Sequence, residues 1–230
     1  MSLAEIRTLW QMARGMPGGI DHARRLEAFY GPQAVHYDSF RERLLRGRGE
    51  LLEWLCPRTG DRVVELGAGT GRNPEYLGGR VASLAALTLV DLCPSLLAQA
   101  RRRWAHAANV AVVEADACAW RPAQPVDAVY FSYALTMIPD WRAAIDNAIA
   151  MLRPGGRLAV VDFTLAEDQS ALGRTFWRRW FGHDGVRLDA EHRRTLGRLL
   201  PRHELRMRRT PVPYLAGITV PYYLFLGVRD

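Results

Sequence analysis

The sequence predicts an α/β protein: a mostly parallel seven-stranded sheet with a C-terminal antiparallel hairpin and an N-terminal helical cap. Three observations predict it. From Arg62 onward, short β-rich runs alternate with helical stretches, as in a parallel sheet covered on both faces. Two apolar runs with a short link close the chain, which suits an antiparallel pair at a sheet edge. The first 55 residues carry helical spacing and no β run.

The elements follow in order. The cap spans residues 1–55 and breaks at Met16-Pro17-Gly18-Gly19 and again at Gly31-Pro32. Leu26, Phe29 and Tyr30 recur at helical spacing before the second break, and Phe40, Leu44 and Leu45 after it. Residues 56–230 read as a single globular unit. Its β runs are 62–66, 87–91, 110–114, 126–131 and 157–163, with helices near 72–79, 95–107 and 140–153. A helical, Arg-rich region reaches about Arg202, and the closing runs are 205–213 and 220–228.

Composition excludes several classes. Hydrophobic residues are 49% and charged residues 24%, which argues against disorder, collagen and coiled coil. No apolar run is long enough to cross a bilayer. Glu5 and Arg7 with no apolar run behind them argue against a signal peptide. Cys56, Cys93 and Cys118 are odd in number and lack metal-site spacing, as do the six histidines, so a reducing cytoplasm and no metal are expected. All 31 basic residues are Arg. Residues 174–209 hold eleven of them against four acids, a surplus equal to the chain's whole net charge of +7. Such a block attracts phosphate, on lipid headgroups or nucleic acid.

The turn after the first β run, Val63-Val64-Glu65-Leu66-Gly67-Ala68-Gly69-Thr70-Gly71, places glycines between a strand and a helix. Its backbone can lie close to a ligand, with free N–H groups facing it, so a nucleotide-like cofactor is expected. The dinucleotide fingerprint G-x-G-x-x-G/A is not met, because Arg72 follows Gly71. Glu65, two residues before the first glycine, is a poor neighbour for a pyrophosphate and a better one for a cationic group. Asp91 ends the second β run, placed for ribose hydroxyls, and Asp116 follows the third, placed for the adenine amino group.

With Leu152-Arg153-Pro154-Gly155-Gly156 before the fifth run, these elements resemble the class I S-adenosylmethionine-dependent methyltransferases. The resemblance implies a Rossmann-like class I methyltransferase fold with S-adenosylmethionine as cofactor. It places Gly67, Ala68 and Gly69 at the cofactor's amino-acid end, with Glu65, Thr70 and Gly71 in the same set. It places Asp91 and Leu92 at the ribose and adenine, Asp116 and Ala117 at the adenine edge, and Ser132 and Tyr133 toward the methionine part and the substrate.

A narrower likeness rests on residues 26–34, Tyr37-Asp38, Phe40-Arg41, residues 90–97, residues 131–141, Phe176-Trp177-Arg178-Arg179-Trp180-Phe181, and Val220-Pro221-Tyr222-Tyr223. These resemble the betaine-lipid synthase N-methyltransferases, which methylate diacylglyceryl-homoserine three times. The resemblance implies a lipid substrate and a separate aminocarboxypropyl transferase as partner.

Methyl transfer requires a neutral amine aligned with the methyl group. Tyr133, Tyr37 and His183 are the candidate catalytic groups. Tyr30, Tyr133, Trp177, Arg178, Tyr214 and Tyr222 are the candidate substrate contacts, aromatic faces being suited to a methylated ammonium. Tyr37 and Arg41 share a helical face and could hold the cofactor's carboxylate. The Phe176–Phe181 run combines four aromatics with two Arg, which suits contact with the inner face of a membrane. Alternatives are methylation of phosphatidylethanolamine or another lipid amine, an RNA methyltransferase, and a regulator without catalysis. No nucleic-acid module is present, so no nucleic-acid partner is expected.

Overall fold

In the computed structural model the five β runs from Arg62 onward pair in parallel, and the two closing runs extend the sheet, only the last of them running opposite to the rest. The structure describes residues 15–17, 21–34, 42, 44–166, 168–183, 185–212 and 218–230. Among these the strands are β1 (Arg62–Leu66), β2 (Ala86–Asp91), β3 (Val110–Glu114), β4 (Val126–Ser132), β5 (Leu152–Phe163), β6 (His203–Pro211) and β7 (Thr219–Val228). They form one sheet in the order β3-β2-β1-β4-β5-β7-β6, with β7 antiparallel to both of its neighbours. Successive side chains alternate faces, so Val63 and Leu87 enter one core cluster while Val64 and Leu66 enter the other. Both faces are covered, as a parallel sheet requires.

The helices are α1 (His22–Tyr30), α2 (Arg48–Leu55), α3 (Pro94–Arg103), α4 (Trp141–Met151), α5 (Ala171–His183) and α6 (Glu191–Leu199). Asp21 caps α1 by accepting from the Ala23 N–H at 3.0 Å, and Asp140 caps α4 by accepting from Ala143 at 3.1 Å. Helix α2, which the sequence groups with the cap, buries Leu51, Leu52 and Leu55 in the same cluster as Val63. Helix α1 instead closes a small cluster in which Leu26, Phe29 and Tyr30 meet Cys93 and Leu96. Its Glu27 carboxylate accepts from the Ser95 N–H at 3.0 Å and from the Ser95 hydroxyl. This pins α1 over the N-terminus of α3.

Two segments differ from expectation. The helix expected over 72–79 is instead a pair of 3-10 turns over Asn73–Ser83, broken where Gly78 takes φ 56° and ψ −136°. The Gly78-Gly79 pair allows a conformation that an α-helix excludes. The turn expected at 152–156 is part of β5, which already pairs Leu152 with Val126 before its register shifts. Gly155, at φ +74°, makes the irregularity a bulge, and Arg229 holds it in the ladder through bonds of 2.8 Å at Gly155 and Gly156.

Three arginines of the basic block serve the sheet edge. Arg206 and Arg208 donate to Glu50 at 3.3 and 3.1 Å, Arg206 also lies 3.8 Å over the Trp54 ring, and Arg209 pairs with Asp168 at 2.6 Å. Charged side chains on β6 also protect an open edge.

Candidate active site

The strand order reverses direction between β1 and β4, and ligands of open α/β sheets bind outside the carboxyl ends of the strands at such a point. A cleft of about 390 Å³ lies there, within the range of about 300–1,000 Å³ usual for cofactor sites. Its floor is the loop after β1. Gly67 takes φ +75°, and a Cβ there would stand 2.4 Å from the Ala134 Cβ. The Gly67 and Ala68 N–H groups donate to the Val90 carbonyl at 2.8 and 3.0 Å, tying the loop to the end of β2.

Asp91 is clamped into position. Its Oδ2 accepts from the Gly69 N–H at 2.8 Å and its Oδ1 from the Cys93 N–H at 2.9 Å. Burial raises its pKa, and these backbone bonds oppose that rise. Each oxygen keeps a lone pair for ligand hydroxyls. Asp116 is exposed at the cleft's edge, where one oxygen accepts from Cys118 at 2.8 Å. Leu92, Thr70, Ala117 and Ser132 complete this part of the lining, and the buried Ser132 hydroxyl has no partner among the described residues.

Tyr133 stands where β4 ends, and Tyr30 faces the cleft from α1. Tyr133 has φ +56°, a left-handed conformation that costs about 1–3 kcal/mol for a bulky residue. The surroundings hold it there. Its N–H donates to the Val161 carbonyl at 2.8 Å, its hydroxyl to the Arg46 carbonyl at 2.6 Å, and its ring packs 4.6 Å from that of Phe163. Buried Asp162 fixes the following turn by accepting from the Thr136 N–H at 3.0 Å and the Thr136 hydroxyl at 2.7 Å. Burial pushes the Tyr133 phenol well above its ordinary pKa, so it stays protonated. With that proton given to Arg46, the phenol oxygen can accept but has no second proton to donate.

Several expected residues lie elsewhere. Glu65 is fully buried beneath the loop, where it accepts from the Tyr130 hydroxyl at 2.7 Å and from the Asn73 amide. Burial pushes its carboxyl up to about 8. Gly71 packs on Ala100, Leu89 and Trp104, where a Cβ would meet atoms at 3.0–3.2 Å; its role is structural. Trp177 is buried under α5 against Phe181, and Tyr222 is buried on β7 where Gly47 packs against its ring. Arg178 is exposed on α5, outside the cleft. His183 ends α5, outside the cleft lining, where its carbonyl accepts from Met16 at 2.9 Å. Tyr37, Arg41 and Tyr214 lie outside the described residues.

Sequence reasoning missed His22, Arg48, Arg72 and Asn73, all of which line the cleft. His22 sits at the start of α1 with its Nδ1 buried and unpartnered among the described residues; burial, then Arg25, lowers its pKa. The capping Asp21 was a readable signal for His22. Arg48 and Arg72 carried none, being two among 31 arginines.

The donor set suits S-adenosylmethionine: a side-chain-free floor at Gly67, a fixed carboxylate for ribose hydroxyls at Asp91, and an acceptor for an exocyclic amine at Asp116.

A family model described as a methyltransferase domain matches residues 37–208. The chain is 34% identical over 125 residues to a trans-aconitate 2-methyltransferase of Klebsiella pneumoniae, covering 54% of this chain and 47% of that protein. It is 29% identical over 154 residues to the ubiquinone/menaquinone biosynthesis C-methyltransferase UbiE of Roseobacter denitrificans, covering 63% of this chain and 61% of that protein. The chain spans about half the length of the curated trans-aconitate relatives it matches. The fold is similar to that of Haemonchus contortus phosphoethanolamine N-methyltransferase 2, solved with phosphomonomethylethanolamine and S-adenosylhomocysteine. The TM-score is 0.71 at 14% identity, covering 93% of this chain and 61% of that one. The strand order, the glycine floor and the match over residues 37–208 agree, and the chain belongs to the methyltransferase-domain family, among the class I S-adenosylmethionine-dependent methyltransferases.

Proposed function

We propose that this chain is an N-methyltransferase that acts on a lipid amine, converting diacylglyceryl-homoserine to its trimethylated betaine lipid in three successive transfers. When bound, S-adenosylmethionine supplies an electrophilic methyl group. The chain's own residues position, desolvate and orient. Gly67 to Gly69, Asp91 and Asp116 hold the cofactor. The Tyr133 oxygen accepts an N–H of the acceptor amine and aims its lone pair. The apolar lining, with Leu45, Met137 and Ile138, lowers the amine's pKa so that it enters neutral. The rings of Tyr30 and Tyr133 can lie against the methylated ammonium, worth about 0.5–2 kcal/mol each.

The observation that carries the lipid reading is a run of aromatic rings from the cleft to the surface. Tyr133 packs on Phe163, Phe163 on Phe181 at 4.8 Å, and Phe181 on Trp177 at 5.6 Å. Trp177 meets Phe176 at 5.1 Å, and Phe176 meets Trp180 at 5.8 Å on the outer face of α5. There Leu172, Phe176 and Trp180 are 85%, 44% and 47% exposed. They stand four residues apart, on one stripe, flanked by exposed Arg179. Rings at headgroup level with Arg at the phosphates is the arrangement of a peripheral membrane contact on the inner leaflet. A separate aminocarboxypropyl transferase would supply the homoserine lipid.

The test offers labelled methyl donor with vesicles of diacylglyceryl-homoserine or of phosphatidylethanolamine and weighs the products. Mono-, di- and trimethylated homoserine lipid is expected. Methylation of the ethanolamine lipid alone, or of neither, overturns the assignment.

A further inference from the structure

A second, smaller cavity of about 220 Å³ lies beside the cleft. His22, Met137 and Pro139 line both, so the two meet at one shared wall. The rest of the smaller cavity is built by Arg25 of α1, by Gly182 in the last turn of α5, and by the turn that follows, with Gly185 and Arg187. That turn is anchored. The Arg187 N–H donates to the Thr136 carbonyl at 2.7 Å, which ties it to the loop after β4, and the Val186 N–H donates to the Phe181 carbonyl at 3.0 Å. Met16 closes another side. Its N–H donates to the His183 carbonyl at 2.9 Å, and a Cβ at Gly185 would stand 2.7 Å from its Sδ.

Two features say what the cavity takes. The first is position. It reaches from the cleft to the end of α5, the helix whose outer stripe of Leu172, Phe176 and Trp180 is exposed, and Trp180 stands just before Gly182. The second is charge. The lining holds Arg25 and Arg187 and no carboxylate among the described residues, Asp184 being outside them. Arg25 donates its Nε to the Pro17 carbonyl at 2.9 Å, and neither guanidinium pairs with an acid among the described residues. Burial, then Arg25 and Arg187, lowers the His22 pKa, while Asp116 and Asp21 oppose them. Those two acids line the cleft and not the smaller cavity. His22 thus divides a cationic side from an anionic one. Guanidinium groups match carboxylate and phosphate oxygens.

We propose that this side cavity is the port by which the methyl acceptor reaches the cleft, and that Arg25 and Arg187 take the oxyanion of a lipid headgroup there. The inference rests on the lipid-amine reading given above.

The test plugs the port in the full chain. Gly182 is not left-handed and a Cβ there meets nothing within 4 Å, so Gly182→Phe adds a ring without backbone strain. With vesicles of diacylglyceryl-homoserine, its kcat/KM falls at least about tenfold. Calorimetric affinity for S-adenosylhomocysteine and cosedimentation with the vesicles stay at wild-type values. Arg187→Gln, at an exposed side chain, tests the oxyanion. Wild type prefers the homoserine lipid over its methyl ester by at least about tenfold, and the variant loses that preference. Wild-type kcat/KM in Gly182→Phe, or a fall in S-adenosylhomocysteine affinity with it, overturns the port and leaves the lipid reading standing. A preference for the acid that Arg187→Gln keeps overturns the role of the arginines, and so does wild type without that preference. If wild type methylates phosphatidylethanolamine alone, the homoserine assignment falls; the same plug loss on that lipid supports the port with phosphate as the oxyanion. Wild type that methylates neither lipid overturns the lipid reading and the port with it. Arg187→Gln carries the test if Gly182→Phe does not fold.

Discussion

At Tyr133 a strained backbone and a hydroxyl already donating to Arg46 leave one useful function, an oxygen that accepts. Tyr133→Phe therefore lowers kcat by about ten- to a hundredfold, the loss of one hydrogen bond to a reacting group, with methyl-donor affinity unchanged. Steady-state kinetics beside calorimetry checks this; equal losses in both contradict an acceptor-side role. Glu65 gives a pH signature. Its folded pKa is raised from 4.5 to about 8, so its stabilising contribution is complete below 4.5 and is lost as pH rises through 8. Glu65→Gln removes that loss, so ligand-free Tm falls less between about pH 5 and pH 8 in the variant than in wild type. Asp162, raised to about 6, leaves part of the slope in both. Parallel profiles would contradict the assignment. At this scale the sequence was legible where chemistry is local. Gly67, Asp91 and Asp116 are fixed by a loop and two strand ends. Arg48 was not, because its burial depends on packing between α2 and the 3-10 turns far along the chain.

Helix α5 shows what spacing reveals and what it hides. Aromatics at 176, 177, 180 and 181 announce an amphipathic helix but not its rotation. Packing decides it: Trp177 and Phe181 turn inward toward Phe163, while Phe176 and Trp180 turn out. Thus Trp177, read as a substrate contact, is core. Replacing Phe176 and Trp180 with Ser should change stability by no more than about 0.5 kcal/mol each, as for exposed positions. The same change should abolish cosedimentation with anionic phosphatidylglycerol vesicles. Undiminished sedimentation of the double variant contradicts a membrane role for this stripe. The 3-10 turns over Asn73–Ser83 and the bulge in β5 were illegible for a related reason: glycine pairs permit a turn, a kink or a bulge, and long-range pairing selects among them.

Over the whole molecule, alternation of β and helical runs sufficed to predict a parallel sheet with a closing antiparallel pair, and the sheet has that form. The neighbour order depends on crossovers between distant segments, which no local pattern encodes. The charge balance shows the same division. Eleven arginines crowd one stretch of sequence, yet the fold sends Arg206 and Arg208 to Glu50 and Arg209 to Asp168. A charge block in sequence is therefore not one patch in space. What the fold does concentrate is the set of strand ends around β1 and β4, and the chemistry assigned to the chain depends on that set holding the methyl donor. Calorimetric titration of S-adenosylhomocysteine into wild type and Asp91→Ala tests this most directly. The expected result is saturable one-to-one binding that Asp91→Ala weakens at least about tenfold. No binding to wild type, or equal binding to a folded Asp91→Ala, would contradict it.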